Sequence, residues 1–296
     1  MDFVVVGGGP AGLSAALVAA GNGVRTVVLE ARDRAGGFIA RADAPVPDTL
    51  GLASADGVAL ARRFAEHAQA AAIDVRLSTT VDQVRRVGDQ LEVRAGEDVF
   101  VAPFVLLATG TRPRILDVPG AGLIDAERRA RQAMDTLRSK TVAVIGGGDE
   151  AVSTACDLAG AGAKVHLLVR DALRARPRFA EPLAGCPEVT VHLGVQVAAF
   201  VGDDTVRQIE LVDGRMLAVD AAFVRIGAEV VIPPCDPAPD RDHGALVVDD
   251  WGRTSVPGLY AAGDLVHPPS RWYVAVACAG GTVVARDVEV RLGQLR

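Results

Sequence analysis

The chain repeats itself. Residues 4–30, VVVGGGPAGLSAALVAAGNGVRTVVLE, realign without a gap on residues 143–169, AVIGGGDEAVSTACDLAGAGAKVHLLV. Self-similarity over such a length constrains the fold strongly, because both copies must adopt one supersecondary unit. Each copy reads as a short apolar strand, a glycine turn, an Ala-rich helix ending in glycine and a second apolar strand. Strands apolar at nearly every residue are covered on both faces, which fits a βαβ unit in a parallel sheet. The expected class is α/β, with two nested, three-layer Rossmann-like domains and two nucleotide sites.

The 296 residues, 50% of them apolar, suffice for two cores, and the scarcity of aromatics (4%) fits parallel sheets under helices. A net charge of -6, spread along the chain, gives no basic footprint for nucleic acid or a membrane surface. A small-molecule partner is expected. The uncharged stretch from Phe3 to Val24 has the length of a membrane span, but glycines interrupt it and no basic segment precedes it. A cytoplasmic protein is expected. Cys156, Cys186, Cys235 and Cys278 are widely separated, form no C-x-x-C pair and have no metal-ligand spacing, so no metal is expected.

Alternating stretches follow each copy, from Val75 to Val101 and from Val189 to Val219, and read as an inserted β-meander in each domain. The Pro-containing TRPRILDVPG at 111–120 and PPCDPAPDRDHG at 233–244 read as crossings. The expected division is therefore a discontinuous domain of residues 1–113 and 244–296 around a second domain of residues 114–243. A final helix is expected from about Tyr273 to Arg291.

Gly7, Gly9 and Gly12, with Pro10 and Ala11 among them, follow a strand and open a helix. In that setting the first glycine permits the turn, the second lets a pyrophosphate approach the backbone, and the third lets helix and sheet pack closely. The helix N-terminus offers N–H groups and partial positive charge. Glu30 ends the second strand, about 20 residues on, where a carboxylate accepts hydrogen bonds from ribose hydroxyls.

VVVGGGPAGLSAA, LEARDRAGG, LLATGTRPR, AVIGGGDEAV and GLYAAGD occur in this order. Together they make the chain resemble the FAD-dependent pyridine nucleotide-disulfide oxidoreductases, and its length is similar to that of the low-molecular-weight thioredoxin reductases. The resemblance implies FAD in the first domain, held by Gly7, Gly9, Pro10, Ala11, Gly12, Glu30, Ala31, Gly36 and Gly37. It also implies that the backbone near Val81 meets the adenine, that Ala108, Thr109 and Gly110 close the site, and that Gly263 and Asp264 meet the ribityl and pyrophosphate portion. The residues of LYAAGD agree, as a buried strand ending in small residues and one acid; a turn or helix cap is the other reading of Asp264. A helix beginning near Arg271 to Val274 would aim its positive end at the flavin.

The second turn holds Gly146, Gly148, Asp149 and Glu150, but Ala151 replaces the third glycine, and Val169 followed by Arg170 replaces the acid. Arg170 and Arg174 suit a 2′-phosphate through charge-assisted bonds, which favours NADPH, while Asp171 keeps NADH open. Arg174, Arg176 and Arg178 read equally as a solvated surface.

Thioredoxin reductases carry a C-x-x-C shortly before the second glycine motif. Here Arg129-Ala130-Arg131-Gln132 stands at about that place. Cys156 reads as a core residue on the second Rossmann helix beside Val152 and Ala155, and Cys186 and Cys235 as loop residues beside prolines. Cys278 on the last helix lacks a basic neighbour in sequence. HPPSRWYV at 267–274 brings Trp272 and Tyr273 toward the expected flavin, as an acceptor pocket or as simple packing. The expected activity passes electrons from NADPH through FAD to a small-molecule or small redox-protein acceptor, in a homodimer and without a C-x-x-C. Two alternatives stay open: a ferredoxin- or flavodoxin-NADP reductase-like enzyme, and a non-catalytic nucleotide-binding sensor or assembly protein.

Overall fold

A computed structural model describes residues 1–41, 46, 48–50 and 56–295. The chain divides into two compact units, Met1–Arg112 with Val230–Arg296, and Pro113–Glu229. In the first, β1 (Phe3–Val6) leads through the glycine turn into α1 (Pro10–Gly21) and β2 (Thr26–Leu29), which lies parallel to β1. α2 (Gly57–Ala70) is capped by Asp56, whose carboxylate accepts the Ala59 N–H at 2.7 Å. β3 (Asp74–Arg76) then pairs in parallel with β2. Three antiparallel strands follow, β4 (Gln83–Val87), β5 (Gln90–Ala95) and β6 (Asp98–Ala102), before β7 (Phe104–Leu107) returns beside β1. The inserted meander thus begins at Gln83 and not at Val75, which belongs to β3. Alternation along a strand does not reveal its partner. β8 (Thr111–Pro113) ends this half.

The second unit runs through α3 (Ala130–Leu137), β9 (Thr141–Ile145), α4 (Asp149–Gly160), β10 (Lys164–Val169), α5 (Pro177–Ala180) and β11 (Val189–Leu193). Its meander is β12 (Val197–Gly202), β13 (Val206–Leu211) and β14 (Met216–Ala218), and β15 (Ala221–Val224) closes the parallel sheet in the order β11-β10-β9-β15. Val189 therefore belongs to this sheet and not to the meander. β16 (Ala228–Val230) carries the chain back.

The return comes earlier than the proline pattern suggests. β17 (Cys235–Asp236) pairs in parallel with β4, and Pro234 O accepts the Val84 N–H, so residues 230–243 join the first unit. The hairpin strands β18 (Arg241–Asp242) and β19 (Ala245–Leu246) follow, then β20 (Leu259–Ala261), which completes the sheet β20-β7-β1-β2-β3, and α6 (Val274–Leu295).

The period of two along each central strand explains the layers. Phe3, Val5, Val28, Leu106 and Tyr260 face Ala15, Ala16 and Ala19 of α1 and Val284, Val288 and Leu292 of α6. Val4, Val6, Leu29, Val105 and Leu107 face Val93 and Phe100 of the meander. In the second unit Val144, Val165, Leu167 and Phe223 face α3 and α4, whereas Ile145, Leu168 and Val224 face Phe200, Ile209 and Leu211. Burying each large aliphatic chain contributes about 1.5–3 kcal/mol, so covering both faces of the sheet is what makes these all-apolar strands stable. Alanine on α1 and Gly281 on α6 let the two helices close up: a Cβ at Gly281 would stand 2.0 Å from Ala11 O. None of the described helices is long and apolar enough to cross a membrane.

Candidate functional site

At the carboxyl ends of β1, β2, β7 and β20 the chain builds a backbone cradle. Gly7, at φ +111°, packs so tightly on the end of β7 that a Cβ would stand 2.3 Å from Ala108 O, and a Cβ at Gly12 would stand 1.9 Å from Gly7 O. Neither position tolerates another residue without moving the loop. Gly9 caps α1 through its backbone, and Pro10 opens the helix, so the Ala11 and Gly12 N–H groups lie in its first turn, where helical carbonyl partners are lacking.

Glu30 is only 7% exposed, and both of its oxygens are engaged: Oε2 accepts the Gly8 N–H at 2.7 Å and Oε1 the Arg32 N–H at 2.9 Å. Its remaining lone pairs are available to hydroxyls. The Gly36–Gly37 turn closes over the loop, with the Gly36 N–H on Gly8 O at 2.8 Å and Gly37 against Gly9. Ala31 is exposed beside it, and the Thr79 N–H reaches Glu30 O at 2.8 Å, which sets the half-buried Val81 near the same end of the sheet. Ala108 is buried and Thr109 and Gly110 half-buried, with the Thr109 hydroxyl donating to Val231 O. Gly263 abuts Ala11 of α1. These residues therefore meet at one place.

Asp264 follows Gly263 in a short 3-10 turn. Its side chain caps nothing, contrary to the simplest alternative, and among the described residues its carboxyl has no hydrogen bond or ion pair. Burial pushes its pKa up to about 6. A desolvated carboxyl without a protein partner is a place for ligand hydroxyls. The Trp272 indole N–H donates to His267 O at 2.9 Å and Asp264 O at 3.2 Å, so this ring pins the loop around Asp264. Tyr273 is exposed just before α6, and Cys278 is half-buried on that helix. A cleft of about 530 Å³ lies between Asp33–Ala35, α2 and β3.

The second unit repeats the cradle with different chemistry. Gly146, at φ +142°, abuts Arg225 O, and Gly148 leads openly into α4. Ala151 is fully buried in place of the third glycine. Arg174 donates its N–H to Gly147 O at 2.7 Å, as Gly36 does to Gly8 O, so the loop after β10 folds over the second turn as its counterpart folds over the first. Val169, where the first unit has Glu30, meets Gly147 with a methyl group.

Of the arginines here, Arg170 is paired with Asp171 at 2.9 Å, and Arg176 binds Asp149 through its N–H at 2.7 Å and Nε at 2.6 Å. The Arg174 guanidinium is exposed and has no partner among the described residues. Arg225, which sequence reasoning did not single out, is buried: it pairs with Glu150 at 3.2 Å and donates to Arg128 O at 2.7 Å. Its only signal was a cation ending an otherwise apolar strand. Arg129 and Ala130 begin α3 where a C-x-x-C would have been sought. Cys156 is half-buried rather than fully in the core with Val152 and Ala155, because its position on α4 faces the edge of the cluster.

Two glycine cradles, each at the carboxyl ends of a parallel sheet, define a protein with two Rossmann-like dinucleotide-binding domains. The pattern of the pyridine nucleotide-disulphide oxidoreductase family matches residues 1–279, and the chain belongs to that family. It is 33% identical over 298 residues to an NADH dehydrogenase of Ferdinandcohnia aciditolerans, covering 95% of this chain and 56% of that protein, so the chain spans little more than half of that relative. It is 30% identical over 300 residues to a thioredoxin reductase of Treponema pallidum, covering 96% and 94% of the two chains. Among solved structures it is similar to Lactococcus lactis thioredoxin reductase, with a TM-score of 0.89 at 25% identity and 99% of each chain covered.

Proposed function

We propose that this protein is an oxidoreductase that holds FAD in the first unit and NADPH in the second and delivers electrons to a small-molecule or small redox-protein acceptor. The observation that carries the reading is the unequal chemistry of two equivalent loops. Glu30 sits in the first cradle, and Val169 followed by Arg170, with Arg174, stands at the second. The first cradle fits a dinucleotide, since its glycines leave no room for side chains and Asp264 presents an unpartnered carboxyl.

When bound, FAD supplies the exchange of two electrons with a nicotinamide and of one or two with an acceptor. The chain's own residues position and hold. The first turn of α1 offers N–H groups to the pyrophosphate, Glu30 accepts from ribose hydroxyls, the Gly36–Gly37 turn covers them, and Asp264 accepts from ribityl hydroxyls. The start of α6 places partial positive charge near the ring, and Trp272 fixes the loop between. Gly146, Gly148 and the first turn of α4 serve the second pyrophosphate, and Arg174 the 2′-phosphate. No C-x-x-C exists in the 296 residues, so electrons leave by another route than that pair.

The Arg170–Asp171 ion pair favours a second reading, in which NADH is the donor and Arg174 is a solvated cation. The likeness to an NADH dehydrogenase points the same way. Family resemblance supports a homodimer and a cytoplasmic location. Anaerobic titration of the purified protein with each nicotinamide, following the flavin's visible band, tests the reading. Bleaching by NADPH at lower concentration than by NADH is expected. A yellow protein that neither bleaches would be a sensor or scaffold, and a protein that cannot be loaded with FAD would refute the assignment.

A further inference from the structure

The two glycine cradles differ at one further pair of equivalent positions. A Cβ at Gly7 would meet Ala108 O at 2.3 Å, and a Cβ at Gly146 would meet Arg225 O at 2.1 Å. The registers agree, with Val6 opposite Leu107 and Ile145 opposite Val224, so Ala108 and Arg225 follow matching strands and occupy the same place beside each turn. The helices after the turns differ in step with them. α1 has no acid in its first turn, whereas α4 begins with Asp149 and Glu150.

Acids in a first turn suit the helix dipole, but they put negative charge where the backbone would receive a pyrophosphate. In the second cradle each acid is met by an arginine from another element. Arg176, after β10, holds Asp149 at 2.6 Å, and Arg225, after β15, pairs with Glu150 at 3.2 Å. The Arg225 side chain is 5% exposed, against 46% for Glu150. Its guanidinium donates to the carbonyls of Val224 at 3.0 Å and Arg128 at 2.7 Å and stands over the Phe223 ring. A cation held by backbone carbonyls and by Glu150 keeps its charge beside the turn.

We infer, on the reading of the second cradle as the nicotinamide nucleotide site, that Arg225 is a positioning residue there: by neutralising Glu150 it lets the first turn of α4 accept the pyrophosphate that NADPH and NADH share. Its part differs from that of Arg174, since a pyrophosphate is common to both nucleotides and a 2′-phosphate is not. Without Arg225, Glu150 is an uncompensated carboxylate in the turn that receives two phosphate charges, and repulsion of that kind is worth about tenfold in affinity.

The test is calorimetric titration of the FAD-loaded protein with NADP+, NAD+ and ADP-ribose, the last carrying the shared adenosine and pyrophosphate with no ring to reduce. Arg225→Met should weaken all three about tenfold at low salt, and the loss should shrink as salt screens the repulsion. Glu150→Gln in the Arg225→Met background should restore binding to within about threefold of wild type, which a merely structural role for Arg225 would not do. Glu150→Gln alone leaves the Arg225 charge to the pyrophosphate and should bind ADP-ribose about threefold more tightly than wild type. That variant decides the matter even if Arg225→Met does not fold. Unchanged affinity in Arg225→Met, a loss that Glu150→Gln does not restore, or binding by Glu150→Gln alone no tighter than wild type would overturn the inference while wild-type binding stands. A wild-type protein that binds none of the three ligands would refute the reading of the second cradle, and the inference with it.

Discussion

Glu30 and Gly8 are joined by a hydrogen bond of 2.7 Å from backbone N–H to carboxylate, buried, between residues that two different elements bring together. The same side chain thus shapes the glycine turn and, in the proposed function, meets the ribose. Glu30→Ala leaves two backbone N–H groups unsatisfied, a cost of about 1–3 kcal/mol each when buried. The variant should purify with much less than half of the wild-type flavin, read as the ratio of visible to protein absorbance. Glu30→Gln retains an acceptor oxygen and should retain more flavin than Ala. Equal flavin content in all three proteins would remove Glu30 from the site.

Asp264 gives a prediction in which function and stability move in opposite directions. Burial raises its pKa to about 6, so the folded, flavin-free protein holds this proton more tightly than the unfolded chain does. The associated stability is present below about pH 4 and is lost as pH rises through about 6. Asp264→Asn removes the buried charge and should stabilise the flavin-free protein at pH 7 by about 1–2 kcal/mol while weakening FAD binding at least tenfold. Chemical denaturation at pH 5 and 7, with and without FAD, reads both effects. Loss of stability at pH 7 in the apo variant would show that Asp264 is structural.

Asp287 on α6 is the centre of a network of a different kind. It accepts from the Tyr260 hydroxyl at 2.6 Å and from Arg253 Nε at 2.8 Å, and Arg291 lies 3.3 Å away. Burial alone would raise its pKa, but the hydrogen bonds from Arg253 and Tyr260 and the charges of Arg253 and Arg291 outweigh it and hold the carboxyl below its usual range. The resulting stability is complete above about pH 4 and disappears as pH falls through the lowered value. Tyr260→Phe should cost about 1 kcal/mol and Asp287→Ala about 3 kcal/mol in urea unfolding, with the acid dependence weakened in the former and lost in the latter.

Arg174 separates the two nicotinamide readings. If its guanidinium meets the 2′-phosphate, Arg174→Ala should raise the KM for NADPH about tenfold, leave that for NADH unchanged, and weaken the salt dependence of NADPH binding. An equal change for both nicotinamides would assign Arg174 to the loop's folding, through its N–H on Gly147 O, and not to phosphate recognition.

The two βαβ units, the place of Glu30 and the substitution of Val169 for it were legible because they are local: strand, turn and helix are specified by residues a few positions apart. The meander starts were misjudged at Val75 and Val189, since a strand's own alternation does not say whether its neighbour runs parallel. Likewise the return crossing read from prolines at 233–244 lies before Cys235, because backbone pairing with β4 outranks local turn chemistry. Arg176 is exposed, in keeping with its reading as surface charge, and its pairing with Asp149 depends on the tertiary structure.

The duplication, the glycine spacing and the all-apolar strands by themselves determined a two-unit α/β protein of this family, because steric demands at a turn and burial on both faces of a strand are written into consecutive residues. Tertiary structure alone decided that Asp287 gathers Tyr260 with Arg253 and Arg291, and that the Asp264 carboxyl lacks a partner among the described residues. Those facts depend on which distant segments exclude water together, and desolvation and hydrogen bonding between them have no periodic signature along the chain.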